Sequence, residues 1–218
     1  MKIFLDTADI ESIKRANDTG LLDGITTNPS KILESGKKFH EVLKEICKIV
    51  KGPVSAEAVA VKAEDIVKEA VIIAGLAPNI AIKVPMTPEG LKASRMLGDR
   101  NIKVNVTMVF APDQVLLAMK TNPAFVSIVL SRLDKIGGDV IGLINDSVII
   151  KKNYGFKGEI LAASIKNRAN VIDCMRAGVD IVSIPENIFF DMFKHPQTDQ
   201  GLSEFDVAWD KLIKAGQV

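Results

Sequence analysis

One lysine of this chain lies inside an apolar run that has the length of a buried strand. Lys83 follows Ile80-Ala81-Ile82 and precedes Val84. Burying an ammonium group is costly, whereas a desolvated lysine is easily deprotonated and can attack a carbonyl carbon. The protonated imine that results is an electron sink, which cleavage of an adjacent carbon–carbon bond requires. The alternatives are a snorkelling side chain and a salt bridge to Glu57 or Asp6.

Two carboxylates and several neutral polar residues interrupt other apolar runs. One carboxylate could remove the hydroxyl proton that starts carbon–carbon cleavage, and the other could order a catalytic water with Thr107. The amides of Asn28 and Asn105 suit sugar hydroxyls. Each residue alone could cap a helix or satisfy a loop, but buried polar groups without partners cost about 1–3 kcal/mol, so the whole set indicates a site. The set is Asp6, Thr26, Asn28, Glu57, Lys83, Asn105, Thr107, Ser127 and Ser164.

A phosphate site is a further expectation. Arg132 follows the sixth apolar run, and Ser164 and Lys166 follow the seventh. A guanidinium offers a planar fork to phosphate oxygens, and an ammonium offers a point charge. An arginine considered alone more often forms a surface ion pair, but the position of Arg132 directly after the sixth apolar run makes a phosphate contact equally compatible with the sequence.

The elements that must position these residues form eight strand-then-helix units. The runs are apolar on both faces, as is typical of strands in a parallel sheet, and residues 39–50 and 66–74 carry helical apolar stripes. With no G-x-G-x-x-G fingerprint present, we predict an α/β fold, a single (β/α)8 TIM barrel over residues 1–218 whose strand ends converge on one mouth. The predicted strands are 3–5, 24–27, 54–57, 80–84, 104–107, 125–128, 160–163 and 181–184.

An additional C-terminal helix is predicted over residues 198–215. Its apolar stripe comprises Leu202, Phe205, Trp209, Leu212 and Ile213. The stripe could cover its own barrel or dock on a neighbouring subunit, and the sequence leaves both open.

Composition excludes several other classes of protein. The formal charge of +1 gives no basic field for nucleic acid or an anionic membrane. Two histidines and two distant cysteines are too few for a typical metal centre, so we expect no metal. The N-terminal run meets Asp6 too early for a signal peptide, and no stretch reaches transmembrane length without charge. We therefore expect a cytoplasmic protein.

Several segments, in order along essentially the whole chain, resemble the transaldolase family, specifically the short subfamily that includes fructose-6-phosphate aldolases. They are Phe4-Leu5-Asp6-Thr7-Ala8, Gly24-Ile25-Thr26-Thr27-Asn28-Pro29, Gly52-Pro53-Val54-Ser55-Ala56-Glu57, Ile82-Lys83-Val84-Pro85-Met86-Thr87, Asn105-Val106-Thr107, Leu161-Ala162-Ala163-Ser164-Ile165-Lys166 and Lys194-His195-Pro196-Gln197-Thr198-Asp199.

The resemblance implies roles for the candidate residues. Lys83 would form the Schiff base, Asp6 would be the acid–base group, and Glu57 and Thr107 would handle the catalytic water. It also implies transfer of a dihydroxyacetone unit from sedoheptulose 7-phosphate to glyceraldehyde 3-phosphate in the pentose phosphate pathway. Neither a metal nor an organic cofactor is implied, whereas a homo-oligomer of five or ten subunits is. Sugar contacts would come from Asn28, Asn105 and Ser127, and phosphate contacts from Arg132, Ser164 and Lys166.

Two positions bear on the choice between the sister activities. Glu57 resembles transaldolases, because the aldolases have glutamine there. Relatives carry proline and then an aromatic residue where this chain has Ile128 and Val129, with tyrosine in the aldolases and phenylalanine in transaldolases. Val129 lacks the tyrosine hydroxyl, which argues against free aldolase activity. It also lacks the phenylalanine ring of transaldolases, which leaves a smaller side chain beside the imine. The alternatives are a fructose-6-phosphate aldolase, a non-catalytic barrel, or another class I aldolase.

Overall fold

The computed structural model describes residues 1–217, in which eight parallel strands close into a barrel in the order β1 to β8. Each strand is hydrogen-bonded to the next along the chain, and β1 pairs with β8 through the register Phe4↔Ser183. The predicted barrel and all eight predicted strands are thereby confirmed. The strands β1 to β8 are Lys2–Asp6, Gly24–Thr26, Val54–Glu57, Ile80–Pro85, Val104–Val109, Phe125–Val129, Glu159–Ala163 and Ile181–Ile184.

The helices form the outer layer, and the interface between helices and strands is the main apolar core. Both predicted helical stripes are confirmed, as α3 and α4. Two short helices that the sequence did not predict, α2 and α7, follow strands β2 and β6. The helices α1 to α11 are Ile10–Asp18, Pro29–Glu34, Phe39–Ile49, Ala63–Ala74, Pro88–Gly98, Pro112–Met119, Leu130–Asp134, Val140–Asn153, Arg168–Ala177, Glu186–Asp191 and Pro196–Lys214.

The barrel interior is apolar at one end and polar at the other. Its lower end is filled by a second apolar cluster, the barrel plug, in which the Phe4 and Phe125 rings meet edge to face at 6.0 Å. Successive strand residues alternate between the two faces, so the next inward-pointing side chain of each strand lies two residues later. On β1, β4, β6 and β8 that residue is polar, and these residues are Asp6, Lys83, Ser127 and Ser183. The plug therefore closes the floor of the polar region. It consists of Phe4, Ala81, Phe125, Leu161 and Ile181.

The C-terminal helix α11 lies within two residues of its predicted start, but it does not cover its own barrel. None of the residues of Pro196–Lys214 is buried. Phe205 is 71% exposed and Trp209 is 55% exposed, although both belong to the apolar stripe. The interpretation in which this stripe packs on its own barrel is wrong, because within one chain the helix projects away from the strand–helix layers.

Among residues 1–217, every helix is either too short or too polar to cross a membrane.

Candidate active site

A cavity of about 350 Å³ opens at the end of the barrel where the strands terminate. Ten of the eleven site residues predicted from the sequence line it, and Asn105 is the exception. The barrel closure brings them together from β1 to β7, because all parallel strands end on the same side. A larger cleft of about 590 Å³ lies at the opposite end and contains none of the predicted residues. The ten are Asp6, Thr26, Asn28, Glu57, Lys83, Thr107, Ser127, Arg132, Ser164 and Lys166.

Lys83 projects into this cavity from the middle of β4, with only 11% of its side chain exposed. Its Nζ atom donates a hydrogen bond to the Thr27 carbonyl oxygen at 3.0 Å. The same atom lies 3.6 Å from Glu57 Oε2, a distance at which the two charges interact without a tight hydrogen bond. The salt bridge considered as an alternative explanation of this lysine is therefore present. It is loose, and it leaves the amine facing the cavity.

The carboxyl group of Asp6 has a pKa above its ordinary range. Burial raises the pKa of the Asp6 carboxyl, and the charges of Lys83, Lys31 and Lys166, together with the Thr26 hydroxyl, only partly offset that effect. A carboxyl with a raised pKa accepts a proton more readily than an ordinary aspartate and can return it, which suits general acid–base catalysis. The geometry thus fits the role expected of Asp6.

The hydroxyl groups of Thr26 and Ser183 connect Asp6 to strand β8. Thr26 Oγ1 lies 3.5 Å from Asp6 Oδ1, and it is also hydrogen-bonded to Ser183 Oγ at 2.5 Å. Ser183 is fully buried and was not a predicted site residue. The buried hydroxyl groups of Thr26 and Ser183 thus form a hydrogen-bonded pair, of which Thr26 contacts the Asp6 carboxylate.

Thr107 occupies the end of β5, where the backbone departs from regular strand geometry. Met108 has a positive φ of 64°, and the β5–β6 register shifts between Val106 and Val109. The extra residue of such a bulge re-aims the side chains beside it. Thr107 and Met108 consequently both line the cavity, while Val109 is buried.

The floor of the cavity is a hydrogen-bonded chain of three side chains that are contributed by β3, β5 and β6. Asn105 Nδ2 donates to Ser55 Oγ at 3.1 Å, and Ser127 Oγ donates to Asn105 Oδ1 at 2.7 Å. Asn105 is fully buried and lies beneath the cavity surface, so both ends of its amide contact protein groups. Of this chain, Ser127 is the member that reaches the cavity.

Cationic side chains line the rim. Arg132 is carried by α7, whereas Ser164, with a positive φ of 57°, and Lys166 lie in the loop after β7. Lys31, on α2, also lines the cavity and was missed from the sequence, because nothing marked residues 29–34 as a helix that approaches the mouth. The cluster can hold an anionic group such as phosphate.

Asn28 has a structural role in addition to its place in the cavity. Its Oδ1 atom accepts the backbone N–H of Lys31 at 3.1 Å and thereby caps α2. Its Nδ2 group has no hydrogen-bond partner elsewhere in residues 1–217. One end of the amide is therefore used by the fold and the other can bind a hydroxyl.

No group of three or more potential metal-ligating side chains occurs in the part of the chain that the structure describes. The two thiols are also poor nucleophiles, since burial raises the pKa of Cys47 to about 11 and that of Cys174 to about 12. Neither thiol lines the cavity, whereas the Lys83 amine does, which makes Lys83 the candidate nucleophile.

Comparison with known sequences covers nearly the whole chain. The profile of the transaldolase/fructose-6-phosphate aldolase family matches residues 3–216. Proteins described as "Probable transaldolase" from Citrifermentans bemidjiense and Geobacter sulfurreducens are each 47% identical over 214 residues, covering 98% of this chain and 100% of the relative. A protein of the same description from Dictyoglomus turgidum is 44% identical over the same coverage.

Among solved structures, a Burkholderia cenocepacia protein proposed to be a phosphonomutase superposes with a TM-score of 0.63, covering 93% of both chains. Its sequence identity of 12% supports the barrel fold alone. The family profile and the relatives with 44–47% identity show the family as well as the fold, because they match over almost the full length of the chain. This chain belongs to the transaldolase/fructose-6-phosphate aldolase family.

Proposed function

We propose that the protein is a transaldolase that transfers a dihydroxyacetone unit between sugar phosphates through a Schiff base on Lys83. The observation that carries the proposal is the buried Lys83 amine, which faces a cavity shared with two carboxylates and a cationic rim. Its substrates would be sedoheptulose 7-phosphate and glyceraldehyde 3-phosphate, giving erythrose 4-phosphate and fructose 6-phosphate. Because such sugar phosphates are intermediates of central metabolism, the proposed location is the cytoplasm.

The first half of the reaction would cleave the donor ketose. The Lys83 amine attacks the ketose C2 carbonyl, and the carbinolamine loses water to give a protonated imine. Asp6 then removes the proton of the C4 hydroxyl, the C3–C4 bond breaks, and its electron pair moves into the imine to form an enamine. The shortened aldose leaves as an aldehyde, while three carbons remain attached to Lys83.

The second half would run the same steps in reverse on a different aldehyde. The enamine carbon attacks the acceptor carbonyl, and protonated Asp6 returns its proton to the new hydroxyl. A water held by Glu57 and Thr107 then hydrolyses the imine and restores the amine. The terminal phosphate would be held by Arg132 and Lys166 on the rim, which fixes the sugar chain relative to Lys83.

The choice of transaldolase over fructose-6-phosphate aldolase rests on two residues. Glu57, rather than glutamine, is the transaldolase-like residue beside Lys83. Val129 lines the cavity and brings no hydroxyl to activate water there. Slow hydrolysis of the enamine would favour transfer to an acceptor aldehyde over release of free dihydroxyacetone.

Borohydride trapping tests the proposal. With fructose 6-phosphate and borohydride, we expect a reduced three-carbon adduct on the peptide that contains Lys83, because reduction captures the imine after cleavage. Absence of an adduct on any lysine of the folded protein, with several ketose phosphates tried, would favour the non-catalytic barrel. Release of dihydroxyacetone without an acceptor aldehyde would instead identify an aldolase.

The exposed stripe of α11 supports a further proposal, that copies of this chain assemble through it into a homo-oligomer of five or ten subunits. An apolar helical stripe this exposed is typical of a protein interface. The mouth of the barrel also carries exposed apolar residues, Leu33 at 82% and Val59 at 66%, which offer a matching surface on a second copy.

We expect the double substitution of Phe205 and Trp209 with glutamate to dissociate the assembly toward a single chain of 23.6 kDa, because the charges would be buried at the interface. Light scattering measures the mass, and in the unmodified protein the emission of Trp209, the single tryptophan, should be that of a buried indole. Lys211→Glu, on the polar face of α11, should leave the mass unchanged. A monomeric unmodified protein would contradict the proposal.

A further inference from the structure

Glu69, on helix α4, binds the backbone of the loop that connects β3 to α4. Its Oε2 atom accepts hydrogen bonds from the backbone N–H groups of Val59 and Ala60, at 2.9 Å and 3.0 Å. Hydrogen bonds to a carboxylate are stronger than those between neutral groups. The loop covers residues 58–62 and begins directly after Glu57, the last residue of β3. One carboxylate oxygen therefore holds the chain two and three residues beyond Glu57.

Within one chain, this β3–α4 loop has few other contacts that could fix its position. The Ala58 N–H donates to the Lys83 carbonyl oxygen at 3.1 Å, which extends the pairing of β3 with β4 by one residue. Beyond that point Val59 is 66% exposed and Val61 is 82% exposed, so the burial of these two side chains does little to place the backbone. The path of the loop therefore depends largely on its two hydrogen bonds to Glu69.

The Glu57 side chain in turn relies on this backbone for its position. In the part of the chain that the structure describes, the Glu57 carboxylate accepts no hydrogen bond, and its Oε2 atom lies 3.6 Å from Lys83 Nζ. Glu57 lines the catalytic cavity and also an adjacent groove of about 490 Å³, which Val59 and Glu69 line as well. The groove offers space into which the Glu57 carboxylate can turn, away from Lys83, if the loop beside it moves.

We propose that Glu69 is a positioning residue which, by holding the β3–α4 loop, keeps the Glu57 carboxylate beside Lys83 for the water steps of the reaction. When the imine forms, the departing C2 oxygen receives two protons and leaves as water. One proton comes from the Lys83 nitrogen and the other from solvent through the water held by Glu57, and the nitrogen lone pair then forms the C=N bond. This inference rests on the proposed function, since it concerns the same reaction.

Two substitutions separate the length of the Glu69 side chain from its charge. Glu69→Gln keeps an accepting oxygen at the same distance without the charge, whereas Glu69→Asp keeps the charge on a side chain that is one methylene shorter. We expect Glu69→Asp and Glu69→Ala to slow imine formation about tenfold, because a displacement of about 1 Å in a site can cost as much as about 10²-fold. Glu69→Gln should stay within about threefold of the unmodified protein, because both hydrogen bonds persist.

The measurement mixes each protein with fructose 6-phosphate, adds borohydride after increasing times, and follows the adduct on the Lys83 peptide by mass spectrometry. The time course gives the rate of imine formation, and the ratio of three-carbon to uncleaved adduct reports on carbon–carbon cleavage. This ratio should not fall in the Glu69 variants, because cleavage uses Asp6, whereas a general loosening of the mouth would lower it. In a Glu57→Ala background, Glu69→Ala should slow imine formation by less than about twofold, since Glu69 acts through Glu57.

The matched control is Asp23→Ala, which removes another carboxylate that binds a backbone N–H, that of Ile3 at 2.8 Å, at the opposite end of the barrel. It should leave the rate of imine formation within about twofold. Unmodified rates in Glu69→Asp and Glu69→Ala, a Glu69→Gln variant as slow as Glu69→Ala, or equal slowing in the Glu57→Ala background would each overturn the role of Glu69. An unmodified protein that forms no adduct would instead contradict the proposed function.

Discussion

Lys83→Met is expected to lower kcat/KM by about 10⁴-fold or more and to remove the adduct formed on borohydride trapping. The methionine side chain has nearly the volume of lysine but no amine, so no imine can form on it. Losses of this size follow removal of a nucleophile that forms a covalent intermediate. Activity is measured in the reverse direction, with fructose 6-phosphate and erythrose 4-phosphate, by coupling the release of glyceraldehyde 3-phosphate to its oxidation. The adduct is measured by mass spectrometry of the digested protein.

The control for this substitution is Lys92→Met, which removes an exposed lysine that pairs with Glu64 on the outside of the barrel. It should leave kcat/KM within about twofold of the unmodified protein, because exposed ion pairs contribute little. Circular dichroism should show that both variants are folded. Retained turnover in Lys83→Met would show that the chemistry does not pass through this lysine.

The second large effect is expected for Asp6→Asn, which should lower kcat by about 10²- to 10⁴-fold, the usual contribution of a general acid–base group. Borohydride should still trap an adduct on Lys83, but as the uncleaved ketose in place of the three-carbon unit, because imine formation precedes the cleavage step that is slowed. Although it lowers kcat, the same substitution should increase the free energy of unfolding at neutral pH.

The sign of the stability effect follows from the raised pKa of Asp6. The folded protein binds the proton of this carboxyl more tightly than the unfolded chain does, so the stabilising contribution of protonated Asp6 is complete below the unfolded-state pKa and is lost as the pH rises through the folded-state pKa. At neutral pH the native carboxylate is thus an unfavourable buried charge that asparagine lacks. Asp6→Asn should be more stable than the unmodified protein at pH 7.5, and the difference should shrink at pH 4.

Urea denaturation at the two pH values measures this difference, and Asp99→Asn serves as the control because Asp99 is exposed. Its stability difference from the unmodified protein should be small at both pH values. If Asp6→Asn were instead the less stable protein at pH 7.5, the attraction between Asp6 and the lysines of the cavity would outweigh the cost of its burial.

Much of the site could be predicted from the sequence because its residues are charged or polar and lie within or at the ends of apolar strands. Lys83 interrupts the apolar run of β4, and Asp6, Glu57 and Thr107 end other such runs. A barrel collects the ends of its strands at one mouth whatever the details of packing. The alternation of eight strands and helices was therefore enough to predict both the fold and the grouping of these residues around one cavity.

Placement within the cavity depended on the register and closure of the barrel. Asn105 has the same pattern in sequence as its neighbours, yet it lies beneath the cavity floor because of the level at which β5 pairs with β4 and β6. Lys31 reaches the mouth through the six-residue helix α2, which is too short to show a helical period in sequence. Ser183 is a neighbour of Thr26 because β8 pairs with β1 and closes the barrel.

The sequence by itself thus determined the fold class, the candidate nucleophile and the set of polar residues at the strand ends, since local apolar patterns and the cost of burying charge act along the chain. The tertiary structure alone decided which polar groups contact one another, and that the apolar stripe of α11 is left uncovered by its own barrel. These are contacts between residues far apart in sequence, and they depend on strand register and helix placement that no local pattern encodes.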